Sequence, residues 1–267
     1  MRSYLYYLKL ECMTNLQYRM DALAGILTQI FFAIIFIMVY LAFYESNSNT
    51  TPMSWQELVN YIYLQQAFYA LIFPYTKDKE LLKIIKNGNI AYELIRPQNF
   101  YIKCYIRIFS KKLIASLLRF SPIIIIASIL PYPFHLSLPV SLSNFLIFIL
   151  SLFLSCLLIT SLTVIVHILT MFTLDEKGLI GIYAAVAEVF MGGVVPIPFF
   201  PKFMQDIAYI LPFRFISDFP FRIYSGSINI QEGITMLMGS SIWIIITIFL
   251  GVVITNISLK KVVVQGG

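Results

Sequence analysis

Residues 22–44 carry no charged side chain, and the stretches 113–130, 142–171, 179–195 and 233–257 are nearly as apolar. Such runs constrain the fold more than any other feature of the chain. At 1.5 Å per residue, about 20 helical residues cross the ~30 Å hydrocarbon core of a bilayer. Hydrophobic residues make up 59% of the 267-residue chain, and the mean hydropathy is +0.83. Soluble domains hold roughly 45–50% apolar residues, and one of this size could not hide so much apolar surface. The sequence therefore predicts an all-α integral membrane protein with one membrane domain over 1–267. No polar stretch is long enough to fold as a separate enzyme domain.

Six spans are expected, at 22–44, 58–75, 113–130, 142–171, 179–195 and 233–257. The second is the least apolar and carries Gln65, Gln66 and several tyrosines. Unpaired amides are costly in hydrocarbon, so this span should face protein rather than lipid. Arg119 falls in the first turns of the third span, from which it can snorkel back to the headgroups. Residues 1–21 place Leu5, Leu8, Cys12 and Leu16 at helical spacing. They read as an interfacial helix, with a frayed tail as the alternative. No small-residue cleavage pattern follows the first apolar run, so that run is expected to remain as a span.

Ten of the nineteen Lys and Arg residues lie between Lys77 and Arg119. With six spans, sixteen basic residues fall on the side of the termini and three, Lys202, Arg214 and Arg222, on the other. The positive-inside rule then places both termini in the cytoplasm of a multi-pass plasma-membrane protein. Topology accounts for the net charge of +6 better than nucleic acid does, because the basic residues flank apolar spans. Cys12, Cys104 and Cys156 have neither disulfide nor metal spacing. Asn49-Thr50-Thr51 is a weak glycosylation match.

Within the basic loop, 76–112, residues 79–86 read as a helix stopped by Asn87-Gly88. Asn89 can cap a second short helix that Pro97 ends. An amphipathic stretch over 99–112 leads into the third span. This loop is either a projection that docks on a soluble partner or a solvated loop that only fixes topology. On the other side, five of twelve prolines fall in 196–220: Pro196, Pro198, Pro201, Pro212 and Pro220. Gly192 and Gly193 precede them and permit close backbone approach. Residues 196–232 are too aromatic for an ordinary loop and suggest two short helices that dip into the membrane and return, lidding a pathway. An interfacial aromatic anchor is the alternative.

Glu188 lies nine residues into the fifth span, roughly 13 Å along a helix. Intramembrane carboxylates usually face a cavity or a partner. Glu188 either lines the translocation route or a dimer interface, or fixes helix packing. His167, near the end of the fourth span, reads as a packing histidine, and Asp175-Glu176 as a solvated turn. No catalytic constellation, metal motif or cofactor motif is present, and no Gly-x-x-x-x-Gly-Lys-Ser/Thr loop occurs.

The string Gly-Asn-Ile-Ala-Tyr-Glu-Leu-Ile-Arg-Pro at 88–97 and the string Gly-Gly-Val-Val-Pro-Ile-Pro-Phe-Phe-Pro at 192–201 carry a family resemblance. With Leu211-Pro212-Phe213, Pro220 and the six-span topology, the chain resembles ABC transporter permeases of the ABC-2 type over nearly its whole length. The resemblance implies an exporter subunit that pairs with an identical or related permease. It also implies separate cytoplasmic ATPase subunits, which would hold the ATP and Mg. It places Lys86, Gly88, Tyr92, Glu93, Arg96 and Pro97 in or beside a coupling helix that docks on the ATPase. Gly192, Gly193, Pro196, Pro201, Pro212, Phe213 and Pro220 match a re-entrant outer gate before the last span. Residues 1–21 match an interfacial helix in position, and 173–178 match a smaller cytoplasmic contact. A non-transporting membrane scaffold and a membrane-embedded enzyme remain as alternatives. Glu188 and His167 lie too far apart in depth to pair easily, which weighs against the enzyme.

Overall fold

The computed structural model describes residues 2–17, 19–46, 51–86, 98–173 and 176–260. Every regular element among the described residues is a helix, and none is a strand. The helices are α1 (Arg2–Asn15), α2 (Arg19–Ser46), α3 (Trp55–Ala67), α4 (Tyr69–Ile72), α5 (Lys79–Lys86) and α6 (Phe100–Ile129). They continue with α7 (Leu142–Leu169), α8 (Glu176–Phe190), α9 (Lys202–Ile210), α10 (Asp218–Ser225) and α11 (Ile230–Lys260). Short 3-10 turns at Ile197–Phe199 and Pro212–Phe215 flank α9.

Local chemistry explains where these helices start. Ser54 and Glu57 form a capping box at α3: the Ser54 hydroxyl accepts from the Glu57 amide at 3.3 Å, and the Glu57 carboxylate accepts from the Ser54 amide at 2.7 Å. Asn99 caps α6 through the Ile102 amide, and Ser141 caps α7 through the Asn144 amide. No breaker separates the amphipathic stretch at 99–112 from the expected third span, and the two form one 30-residue helix, α6.

Four helices are long and apolar enough to cross a membrane: Met20–Ser46, Phe100–Ile129, Leu142–Leu169 and Ile230–Lys260. In three of them only 22% of the most apolar window is buried, against 50% for Leu142–Leu169. The three therefore turn apolar surface outward while α7 sits inside. On α11 the outward face carries Ile234, Met238, Ile242, Ile245 and Phe249, each more than half exposed. A patch this extensive fits hydrocarbon, not water. The chain is a multi-pass membrane protein on these grounds.

The other two expected spans take a different form. Residues 58–75 become the 13-residue α3 and the four-residue α4, interrupted at Phe68, and 179–195 becomes the 15-residue α8. At 1.5 Å per residue, α3 and α8 are about 20 and 22 Å long. Every residue from Leu58 to Ala67 is buried, Gln65 and Gln66 included. The helix packs against α2, α6 and α10. The expectation that this polar segment faces protein holds. α7 pairs most extensively with α11 and also holds α10 and α6.

α1 lies along α6. The apolar stripe read from sequence is divided between its two sides. Leu8 and Cys12 turn inward with Tyr7 and Glu11, while Leu5, Leu10, Met13 and Leu16 are exposed. The inner side is thus partly polar because α6 presents cations to it: Lys103 Nζ lies 5.7 Å from the Tyr7 ring centre.

Candidate functional site

Two polar clusters stand out, one around Asp78 and one around the Gly192–Gly193 turn. The first surrounds the base of α5. Its root is Asp78, which is 4% exposed. Asp78 Oδ1 accepts from the Leu81 amide at 2.9 Å and caps α5. Asp78 Oδ2 accepts from Arg107 Nε on α6 at 2.6 Å. The same guanidinium grips Glu80 and lies 3.9 Å from Glu11 on α1. The Asp78 amide donates to His167 Nε2 on α7 at 3.2 Å. His167 Nδ1 lies 2.8 Å from the Thr163 carbonyl. A nitrogen that accepts carries no proton, so Nδ1 is the donor to Thr163. Burial opposes charge on Asp78, but the Leu81 amide and the Arg107 guanidinium outweigh it and hold the carboxyl below its usual range.

Just below, the chain leaving α4 is held by Lys112, which is 1% exposed. Its ammonium donates to the Phe73 carbonyl at 2.7 Å, the Thr76 hydroxyl at 3.0 Å and the Leu71 carbonyl at 3.4 Å. Three acceptors, two backbone carbonyls and one hydroxyl, match the three protons of an ammonium group. Lys111 Nζ adds a bond to the Lys77 carbonyl at 3.1 Å. The base of the basic loop is therefore tied to α1, α6 and α7 together.

The second cluster closes the far end of α8. Gly192 has φ +78°, the left-handed conformation that favours glycine. The Gly193 amide donates to the Glu188 carbonyl at 2.9 Å and the Gly192 amide to the Val189 carbonyl at 3.0 Å. This 6→1 and 5→2 pair is a Schellman stop. The freed carbonyls are then caught from α3: Tyr61 Oη donates to Gly192 at 3.0 Å, and Gln65 Nε2 to Gly193 at 2.6 Å. A Cβ at Gly192 would meet Tyr61 Oη at 2.5 Å. A Cβ at Gly193 would meet the Glu188 carbonyl oxygen and carboxylate at 2.7 and 2.8 Å.

The prolines that follow start helical segments rather than break them. Pro196 precedes the first 3-10 turn, Pro201 caps α9, and Pro212 opens the second 3-10 turn. Pro220 lies in the first turn of α10. None of these positions needs an amide for the helical ladder. Phe213 packs on the main core, its ring 6.4 Å from Tyr183 of α8. α10 is drawn into the core between α3 and α7. There Phe219, Phe221 and Ile223 are fully buried, and the Asn144 side-chain amide donates to the Ile223 carbonyl at 2.8 Å.

Of the residues expected at the docking helix, Gly88, Tyr92, Glu93, Arg96 and Pro97 lie outside the described residues. Lys86 is the last residue of α5, and its side chain also lies outside them. The outer set, Gly192, Gly193, Pro196, Pro201, Pro212, Phe213 and Pro220, lies along the segment from the stop of α8 to the first turn of α10. Glu188 joins it through the Gly193 contact and is partly buried. His167 packs as expected, with the added bond to the Asp78 amide.

Sequence reasoning did not single out Asp78, Arg107, Glu11, Tyr61, Asp218 or Arg222. Asp218 is 1% exposed and takes Arg222 Nη1 at 3.3 Å. The i, i+4 acid–base spacing of that pair was the available signal. Nothing local marks Arg107, whose partners lie 27, 29 and 96 residues away. Among the described residues no three His, Cys, Asp or Glu side chains converge to hold a metal.

The sequence profile described as ABC-2 family transporter protein matches residues 29–266. A search of curated proteins finds no significant match.

Proposed function

The chain belongs to the ABC-2 transporter family, and on that premise we propose that it is the permease subunit of an ATP-driven exporter with six spans and both termini in the cytoplasm. Membership makes it a membrane permease of an ABC transporter, a transmembrane component that is not itself catalytic. The finer reading has two such subunits forming the pathway and cytoplasmic ATPases docking on the loop that α5 begins. ATP and Mg bind on those partners. α3 with α4, together about 27 Å from Trp55 to Ile72, and α8 supply the second and fifth spans. α3 crosses where neighbouring protein, not lipid, surrounds it, whereas α8 turns Ile182 and Val186 outward.

One observation carries the coupling proposal: Asp78 and Arg107 tie the base of the basic loop to α1, α6 and α7. Force applied to α5 by ATPase closure would reach α6 through the Asp78–Arg107 ion pair, α7 through the bond from the Asp78 amide to His167, and α1 through the longer Arg107–Glu11 contact. It would also reach α3, because Lys112 fixes the segment between α4 and α5. Tyr61 and Gln65 on α3 hold the Gly192–Gly193 turn. A shift of α3 would therefore change the grip on the outer loop, where α9 and α10 act as a re-entrant gate. Glu188 sits at that hinge and would line the route or the subunit interface.

The test is co-purification with the ATPase, followed by paired assays of ATP hydrolysis and transport. Arg107→Gln should leave the ATPase bound but lower transport per ATP hydrolysed by at least tenfold. Glu93→Gln or Arg96→Gln should weaken ATPase docking or coupling while the membrane domain stays folded. Unchanged coupling in all three variants would remove this loop from the mechanism. A chain that neither binds nor stimulates an ATPase would point to the scaffold reading.

A further inference from the structure

A cleft of about 780 Å³ opens between α1, the start of α2, the base of α5 and α6. It is as large as many small-molecule sites. α6 presents Arg107, Lys111, Ala115 and Arg119 to it, one residue every four along a single face. The charges do not cancel evenly. Three of the four lining carboxylates, Glu11, Asp78 and Glu80, gather on Arg107. That leaves Lys77, Lys79, Lys111 and Arg119 facing Asp21.

Lys111 and Arg119 spend their bonds on uncharged groups. Lys111 reaches the Lys77 carbonyl at 3.1 Å, and Arg119 Nη2 the Asp21 carbonyl at 3.3 Å. Arg119 Nε is buried and has no hydrogen-bond partner among the described residues. Leu10, Ala22 and Leu118 make an apolar wall in the same cleft. Beside that wall, Leu23 and Leu117 are 55% and 52% exposed on the outer surfaces of α2 and α6. An anion that fits here has an apolar continuation.

We propose that this cleft binds the phosphate of an anionic lipid headgroup, with Lys111 and Arg119 as its principal ligands and its acyl chains running down past Leu117 and Leu23. The inference rests on α2 and α6 being membrane spans, and it needs no ATPase. A lipid seated there would touch the same α6 face as the Arg107 junction. It would brace α1 and α5 against the two spans.

The test uses the purified full-length chain in mild detergent and native mass spectrometry of the first bound lipid. Phosphatidylglycerol should be retained in preference to phosphatidylcholine. Lys111→Gln and Arg119→Gln should each weaken retention about fivefold, the factor expected for one basic residue near an anionic surface. Ala115→Leu, which keeps every charge but fills the cleft, should weaken it as well. This second kind of variant guards against a charge substitution that merely perturbs the helix. Equal retention of the two lipids, or phosphatidylglycerol retention unchanged in all three variants, would overturn the proposal. So would glycerol 3-phosphate binding with no lipid preference, which would assign the cleft to a soluble phosphate ester. Because lipid retention is read without ATPase, failure here leaves the coupling reading standing, and failure of coupling leaves this one standing.

Discussion

Gly192 is held twice, by its own backbone and by its neighbour. Its φ of +78° disfavours any other residue by roughly 1–2 kcal/mol. The Tyr61 hydroxyl also occupies the space a Cβ would need. Gly192→Ala should therefore lower the thermal unfolding temperature in detergent. The loss should be smaller in a Tyr61→Phe background, where the clash is gone and only the backbone strain remains. Equal losses in both backgrounds would show that the hydroxyl contact plays no part. Asp78 makes a different prediction, in pH. Its folded carboxyl titrates below its ordinary value of 3.8. The stabilisation is fully present above that ordinary value and is lost as pH falls through the lower, folded one. Melting temperature measured against pH should hold on the neutral side and fall on the acid side of about pH 4. Asp78→Asn should flatten that limb, leaving a protein less stable at neutral pH.

The most consequential element is the short, enclosed α3. Its ten consecutive buried residues include Asn60, Gln65 and Gln66, each of which needs a partner in the core. Asn60 finds Ser137, accepting from its amide at 2.9 Å and donating to its hydroxyl at 2.7 Å. Gln65 finds the Gly192–Gly193 turn. Gln65→Leu keeps the volume but strands the Gly193 carbonyl, while Tyr61 still holds that of Gly192, and should destabilise by about 1–3 kcal/mol. Hydrogen exchange should then rise at residues 192–201 more than elsewhere. Uniform loosening, or none, would mean that α3 does not clamp that turn. The outer segment shows the same logic. α10 is apolar enough to enter the core, and the prolines ahead of it set its start without stranding amides.

At the scale of the molecule, the question is how many times the chain crosses. Four helices are long and apolar enough to cross; α3 is short and enclosed, α4 is a single turn, and α8 is short with only Ile180, Ala184 and Ala187 buried. Six crossings place Lys177 and Lys202 on opposite sides of the membrane. In a variant whose native cysteines are replaced, Lys202→Cys should react with an impermeant thiol reagent added to intact cells. Lys177→Cys should react only after the membrane is opened. Labelling of both from outside would rule out α8 as a crossing.

The sequence by itself determined the class of fold, the four long spans, the protein-facing character of the second apolar segment and the family. Each of these follows from local properties: run length, charge placement and short strings such as Gly192–Pro201. It also marked the Gly and Pro positions of the outer loop, because backbone conformation restricts which residues fit. What only the tertiary structure decided is who meets whom. Arg107 joins Asp78 to Glu11, which lies 96 residues before Arg107 in the chain, and Lys112 solvates the end of α4 from another helix. α3 is enclosed although its own length would not carry it across a bilayer. Such contacts are set by the packing of helices distant in sequence, and a buried charge can sit only where that packing delivers its partners.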